Sequence, residues 1–212
     1  MTASAQRVFV LSPASTGGAR AKLLFNDRAQ FAMAQQVRKS DGAALGDVFA
    51  FLSGLYFRGK ITYARRFARP ATAIHIITSD RGLVSPDTRV TLDDLSAMAR
   101  VPIDVDDPVY REPLLRDARR IDHESGGTAD VVLLGSIATA KYVDVLGEVF
   151  GERLLFPIDF VGRGDMSRGG LLLRQVHGQR ELEYQPVLGA IRSGKRPARL
   201  AVVDRPPPRS SG

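Results

Sequence analysis

Residues 160–170 read FVGRGDMSRGG: four glycines, two arginines, an aspartate and a serine directly before an apolar run, LLLRQV. Several glycines beside arginines let the backbone come close to an anion that guanidinium groups hold. Arg163 and Arg168 suit bidentate contact with a phosphate or carboxylate, Ser167 adds a donor, and Asp165 can orient the arginines or act as a base. Three further stretches carry similar chemistry. LSPASTGGAR sets Ser12, Ser15 and Thr16 beside a glycine pair, an arrangement that cradles an anion on backbone N–H groups. A plain strand-to-helix connection needs the same turn residues. SDRGLVSPD supplies Asp80 and Arg81 beside Gly82, for which a positive φ is expected, and reads equally as a turn held by its own side chains. GSIATAKYVD places Lys141 and Tyr142 in the first turns of an expected helix. Asp80, Asp165 and Lys141 are the candidate catalytic groups. Asp80, Asp159 and Asp165 could supply paired carboxylates only if folding gathers them.

A fifth stretch, FRGKITYARRFAR, holds Arg58, Lys60, Arg65, Arg66 and Arg69 without an acid between them, and Tyr63 with other aromatics lies among the cations. Aromatics interleaved with arginines suit base stacking and phosphate contact. An amphipathic helix with aromatics inward gives the same pattern. The expected anion-binding set is therefore Ser12, Ser15, Thr16, Arg58, Lys60, Tyr63, Arg81, Arg163, Ser167 and Arg168.

Composition bounds these readings. The formal net charge is +7, but residues 192–212 carry +5 of it and the other 191 residues only +2. The basic character is thus mostly terminal, and the body is not that of a dedicated duplex binder. There is no cysteine, and His75, His123 and His177 are scattered, so neither thiolate chemistry nor a zinc site is expected. GxxxxGK[ST] and GxGxxG are both missing, and no histidine stands near a nucleophile elbow. No cofactor or metal is expected. The N-terminus has no apolar signal core and no stretch reaches membrane-spanning length, so a cytoplasmic protein is expected and the RGD tripeptide is discounted as an adhesion motif.

The elements that must position these residues follow from periodicity. RVFVLS (7–12), ATAIHIITS (71–79), ADVVLLGS (129–136) and ERLLFP (152–157) read as strands, the first three running into the polar loops above. Helices are expected over 27–39, over LGDVFAFLSGLYFRG with an interruption at Ser53-Gly54, from the Thr91–Asp94 capping box to Ala99, over PVYREPLLRDARRID, and over IATAKYVDVLGEVF. GGLLLRQVHGQRELEYQPV reads as a β-hairpin turning at His177-Gly178. The whole predicts an α/β domain over 1–192, with a mainly parallel or mixed sheet flanked by helices and a C-terminal hairpin. A basic Pro/Arg-rich tail is expected over 193–212, flexible, with one possible short strand in RLAVV. In such a sheet ligands collect at the carboxyl ends of the strands, where the three polar loops should meet.

In order, these segments resemble the YaaA-type peroxide-stress proteins. Ser12-Pro13-Ala14-Ser15-Thr16 stands where that family has SPAKT, and Phe57-Arg58-Gly59-Lys60-Ile61-Thr62-Tyr63 can be set beside its GDVY-type motif. Ser79–Asp87 resembles SGLYGxLRPxD, Ser136–Tyr142 resembles LASxEY, and Gly162–Arg168 resembles ARGxMxRYI. The family's first lysine is replaced by Ser15 and an aspartate by Lys60. The resemblance implies an α/β fold with a basic cleft, DNA binding and a role in limiting oxidative damage. A weaker likeness, to the uracil-glycosylase-like domains of tRNA-modifying proteins, implies nucleobase chemistry. The expected partner is DNA or a nucleotide-like anionic ligand. The alternative to a nucleic-acid binder is a small enzyme acting on a nucleobase, nucleotide or other anionic metabolite in the same cleft.

Overall fold

The structure is a computed structural model that describes residues 6–191 together with Gly194 and Pro197. The expected tail strand RLAVV lies outside the described residues.

Four parallel strands form the centre of a six-stranded sheet. They are β1 (Arg7–Leu11), β3 (Ile74–Ile77), β6 (Asp130–Leu134) and β7 (Leu154–Pro157). Short antiparallel strands close the two ends: β4 (Leu83–Val84) pairs with β3, and β8 (Tyr184–Pro186) pairs with β7. The sheet order is β4-β3-β1-β6-β7-β8. A separate two-stranded ribbon joins β2 (Ala43–Ala44) to β5 (Arg89–Val90).

The helices cover both faces, so the central strands are apolar on both sides, as buried parallel strands must be. Phe9 and Leu11 of β1, with Val132 and Leu134 of β6, point into one core. That core is completed by α1 (Ala19–Phe25), α2 (Ala32–Val37), α3 (Leu45–Ser53), α4 (Leu55–Phe67), α5 (Leu92–Arg100) and α8 (Asp165–His177). Val8, Val10, Val131 and Leu133, one residue out of phase, point into a second core with α6 (Pro108–Glu124) and α7 (Ala140–Phe150). No helix among the described residues is long and apolar enough to cross a membrane.

Local rules account for several boundaries. Gly54, at φ +62°, separates α3 from α4, which is the expected interruption. Thr91 and Asp94 make the reciprocal capping box at the start of α5. Gly82 takes the expected positive φ, +75°. Two expectations fail. The helix expected from Asp27 begins only at Ala32, because residues 27–31 form a turn.

The expected hairpin arm over 169–177 is instead helix α8, and the C-terminal antiparallel pair is β7 with β8. Gly169-Gly170 is not a turn. Gly169 faces Gly59 of α4, and a Cβ at Gly169 would fall 2.7 Å from the Leu55 carbonyl oxygen, while one at Gly59 would fall 2.8 Å from that of Gly169. The two glycines let α4 and α8 cross backbone to backbone, and that crossing fixes Tyr56 and Lys60 beside Asp165 and Arg168.

Candidate functional site

β3 and β6 flank β1 on opposite sides, so the chain reverses direction across the sheet there, and the crevice at their carboxyl ends is a topological switch point. The three polar loops do meet in it. A cleft of about 490 Å³ is lined by Ser12 to Thr16 and Gly18 after β1, by Ser79 after β3, and by Ser136 after β6. Helix ends complete it: Phe49, Leu52 and Ser53 of α3, Tyr56 at the start of α4, Met98 of α5, Lys141 and Tyr142 of α7, and Asp165 of α8. The lining mixes hydroxyl-bearing with apolar side chains, Val101 and Ile103 among the latter.

The floor is built from the end of β1. Ser12 is buried, and its N–H donates to the Leu134 carbonyl at 3.2 Å. Its neighbour across the strand gap is Gly135, where a Cβ would come 2.9 Å from the Ser12 Cβ. Only glycine leaves room for the serine there. Behind Ser12 lies Lys60, 1% exposed. Its Nζ donates to the Ser12 carbonyl at 2.6 Å and to Ser12 Oγ at 2.9 Å. Tyr56 and Phe57 present their ring faces to the same nitrogen at 4.5 and 4.7 Å. Burial brings the Lys60 pKa down to about 7, the Asp165 carboxylate pulls it back up, and Arg168 pushes it further down.

Tyr56 lines the cleft and is 6% exposed, and its buried hydroxyl, beside the Arg168 guanidinium, makes no complete hydrogen bond. Burial pushes that hydroxyl well above its ordinary pKa, so it is a neutral donor. Tyr142 is raised to about 12, by burial first and by Asp165 second. The loops are pinned by neighbouring helices: Ser79 Oγ donates to the Met98 carbonyl at 2.6 Å, and the Tyr110 hydroxyl of α6 donates to the Lys141 carbonyl at 2.7 Å.

Of the residues singled out in the sequence, Ser12, Ser15, Thr16, Lys141 and Asp165 line the cleft, and Lys60 lies directly behind it. The expected arginines do not. Arg81 is held by Asp80 at 3.0 Å and Asp94 at 3.2 Å. Arg163 donates to the Asp159 carbonyl at 2.8 Å and to Ser167 Oγ at 3.3 Å. Arg168 donates twice to the Phe160 carbonyl and stands 3.7 Å from Asp165. Its Nε and Nη2 are held by that carbonyl, while its charge reaches Tyr56 and Lys60.

Tyr63 is wholly buried in the sheet core, where its hydroxyl meets that of Tyr184 at 2.6 Å and accepts from the Leu182 N–H at 2.7 Å. The aromatics of FRGKITYARRFAR thus face inward, and Arg58, Arg65, Arg66 and Arg69 are exposed on the opposite side of α4 and just beyond it. Asp80, Asp159 and Asp165 are not gathered. Only Asp165 reaches the cleft, and Asp80 lines a separate shallow groove with Glu112 and Arg116 of α6.

Sequence reasoning assigns no cleft role to Tyr56, Ser53 or Ser79, and it names Tyr142 at the helix start beside Lys141 without giving it one. Tyr56 had a readable signal: it is the second residue of a helix that restarts after a glycine break, on the side that reaches the strand ends.

Comparison with known protein families, curated proteins and solved structures finds no match for this chain. Fold and cleft by themselves define the class: an α/β protein with a strand-end pocket, lined by both hydroxyl-bearing and apolar side chains, at the switch point of its sheet.

Proposed function

We propose that the cleft binds a small, polar, flat molecule of nucleobase or nucleotide size, and that the protein is an enzyme acting on it. The observation that carries this reading is Tyr56: it lines the cleft, and its buried hydroxyl, beside the Arg168 guanidinium, makes no complete hydrogen bond. Leaving such a donor unsatisfied costs about 1–3 kcal/mol, a cost that a ligand acceptor removes. The remaining features fit the same molecule. Phe49, Leu52 and Met98 offer an apolar face to a ring, Ser12, Ser15 and Ser136 offer hydroxyls to its edge, and Lys141 is a cation on the lining for an attached anionic group. The volume lies within the range of small-molecule sites.

The test is calorimetric titration with nucleobases, nucleosides, nucleotides and small anionic metabolites against the wild type and Tyr56→Phe. The variant keeps the ring and deletes the hydroxyl. Its expected behaviour is a free protein at least as stable as wild type and a ligand bound roughly tenfold more weakly, equivalent to about 1.4 kcal/mol. Unchanged affinity in Tyr56→Phe, or no ligand from any of these classes, would overturn the reading.

A second reading, nucleic-acid binding, draws on the YaaA-type resemblance and on one observation: Arg58, Arg65, Arg66 and Arg69 are exposed along one side of α4 and its end. This surface is separate from the cleft lining.

A further inference from the structure

Lys60 is buried without a carboxylate partner among the described residues. Its polar contacts are the two oxygens of Ser12. A position that needed only packing is served by an apolar side chain at less desolvation cost, so the amine is kept for what it does to Ser12. Ser12 has two sides: its Oγ meets Lys60 at 2.9 Å and the Leu134 carbonyl at 3.4 Å, and the residue lines the cleft. With Lys60 charged, the ammonium donates to Oγ. With Lys60 neutral, the nitrogen lone pair can take the hydroxyl proton. The groups that face Lys60 are Tyr56 on its own helix and Asp165 and Arg168 on α8. Asp165 favours the ammonium, while Arg168 and burial favour the amine, and together they bring the amine form within reach near pH 7.

We propose that Ser12 is a nucleophile and Lys60 its general base, acting on the carbonyl carbon of a small polar ester or amide held in the cleft. This rests on the reading of the cleft as a small-ligand site. In the first step Ser12 Oγ bonds to the carbonyl carbon and its proton passes to Lys60 Nζ. The bond from that carbon to the leaving oxygen or nitrogen breaks, and the leaving group departs with the proton from Lys60. In the second step water adds to the acyl carbon and gives a proton to Lys60. The acyl–Oγ bond breaks, and Ser12 recovers that proton as the carboxylic acid leaves. One water is consumed and nothing is oxidised or reduced. A base poised near the working pH and in direct contact with a serine hydroxyl is the arrangement such chemistry requires.

The experiment uses the full chain and a fluorophosphonate, a serine-directed phosphorylating probe, with intact-mass and peptide mass spectrometry from pH 5.5 to 9. One adduct is expected, on Ser12. Its rate of formation should rise about tenfold per pH unit below the Lys60 pKa and level off above it. Ser12→Ala should give no adduct. Lys60→Met should label at least about a hundredfold more slowly with the pH rise abolished. If Lys60→Met does not fold, the wild-type pH profile and the mapped position of the adduct decide by themselves. No adduct at any pH, an adduct elsewhere, or a rate flat between pH 6 and 8 would overturn the proposal. Ligand binding that survives alongside any of those results leaves the small-ligand reading standing. Ser12 labelling without any cleft ligand overturns that reading instead.

Discussion

Among the described residues, burial pushes two basic side chains, Lys60 and His75, toward their neutral forms, and they differ in what that achieves. Lys60 is turned toward the cleft floor. His75, on β3, is turned toward α6, and burial first, then Arg120, lowers its pKa to about 4, while Glu124 and Asp117 oppose the shift. The sign of its pH effect follows. Between pH 6.5 and about 4 the unfolded chain takes up a proton that the native state refuses, so stability is complete above pH 6.5 and falls as the pH drops through that window. Replacing His75 by Gln removes the titrating group. The expected outcome is that the urea midpoint falls less between pH 7 and 4.5 in His75→Gln than in wild type. Equal falls would show that His75 is proton-accessible in the native state.

At the scale of the element, the crossing of α4 and α8 decides the cleft's shape. Gly169→Ala must push the helices apart, because its Cβ would lie 2.7 Å from the Leu55 carbonyl oxygen and 2.8 Å from the Tyr56 Cα. A loss of about 1–3 kcal/mol in urea unfolding is expected, together with weaker ligand binding as Tyr56 and Asp165 separate. Gly147→Ala in α7 is the control. A Cβ there meets nothing within 4 Å, and about 0.5–1 kcal/mol of stabilisation is expected from helix propensity. The same crossing shows where sequence reading stops. The strands β1, β3 and β6, the capping box at Thr91 and the break at Gly54 are local signals, and each is readable in a window of a few residues. Gly169 answers to Gly59, more than a hundred positions away, so a window around it shows two adjacent glycines and suggests a turn. The cations fail for a related reason. Arg81, Arg163 and Arg168 are countable in the sequence, but Asp94 and the carbonyls of Asp159 and Phe160 that occupy them are brought there only by folding. The loops after the strands need no such information, which is why Ser12, Ser15, Thr16 and Lys141 are readable as cleft-lining residues.

For the whole molecule, the charge divides between a nearly balanced body and a strongly basic end. The nucleic-acid reading places its contacts on the four exposed arginines of α4 and its end. Of these four, Arg65 stands 3.4 Å from Asp87 and Arg69, just past the helix, stands 3.6 Å from Glu181. With a chain ending at Ile191, four phosphate contacts predict a log–log salt slope of about −3.6 on duplex DNA between 50 and 200 mM salt. Arg58→Ala should reduce it by about 0.9. Binding that disappears with residues 192–212 would instead assign the nucleic-acid affinity to the terminal charge and leave the folded body to its small ligand.

The sheet's two outer strands have a consequence for how the protein behaves at high concentration. β4 is two residues long, and β8 is three and ends on Pro186, a residue without an N–H to offer. Among the described residues, the long ladders of β1 and β6 are therefore closed on both sides, and neither rim presents the extended run of free amides that templates another chain. Cross-β assembly would first have to peel one of these short strands away, so resistance to fibrillar aggregation is built into the margins of the sheet.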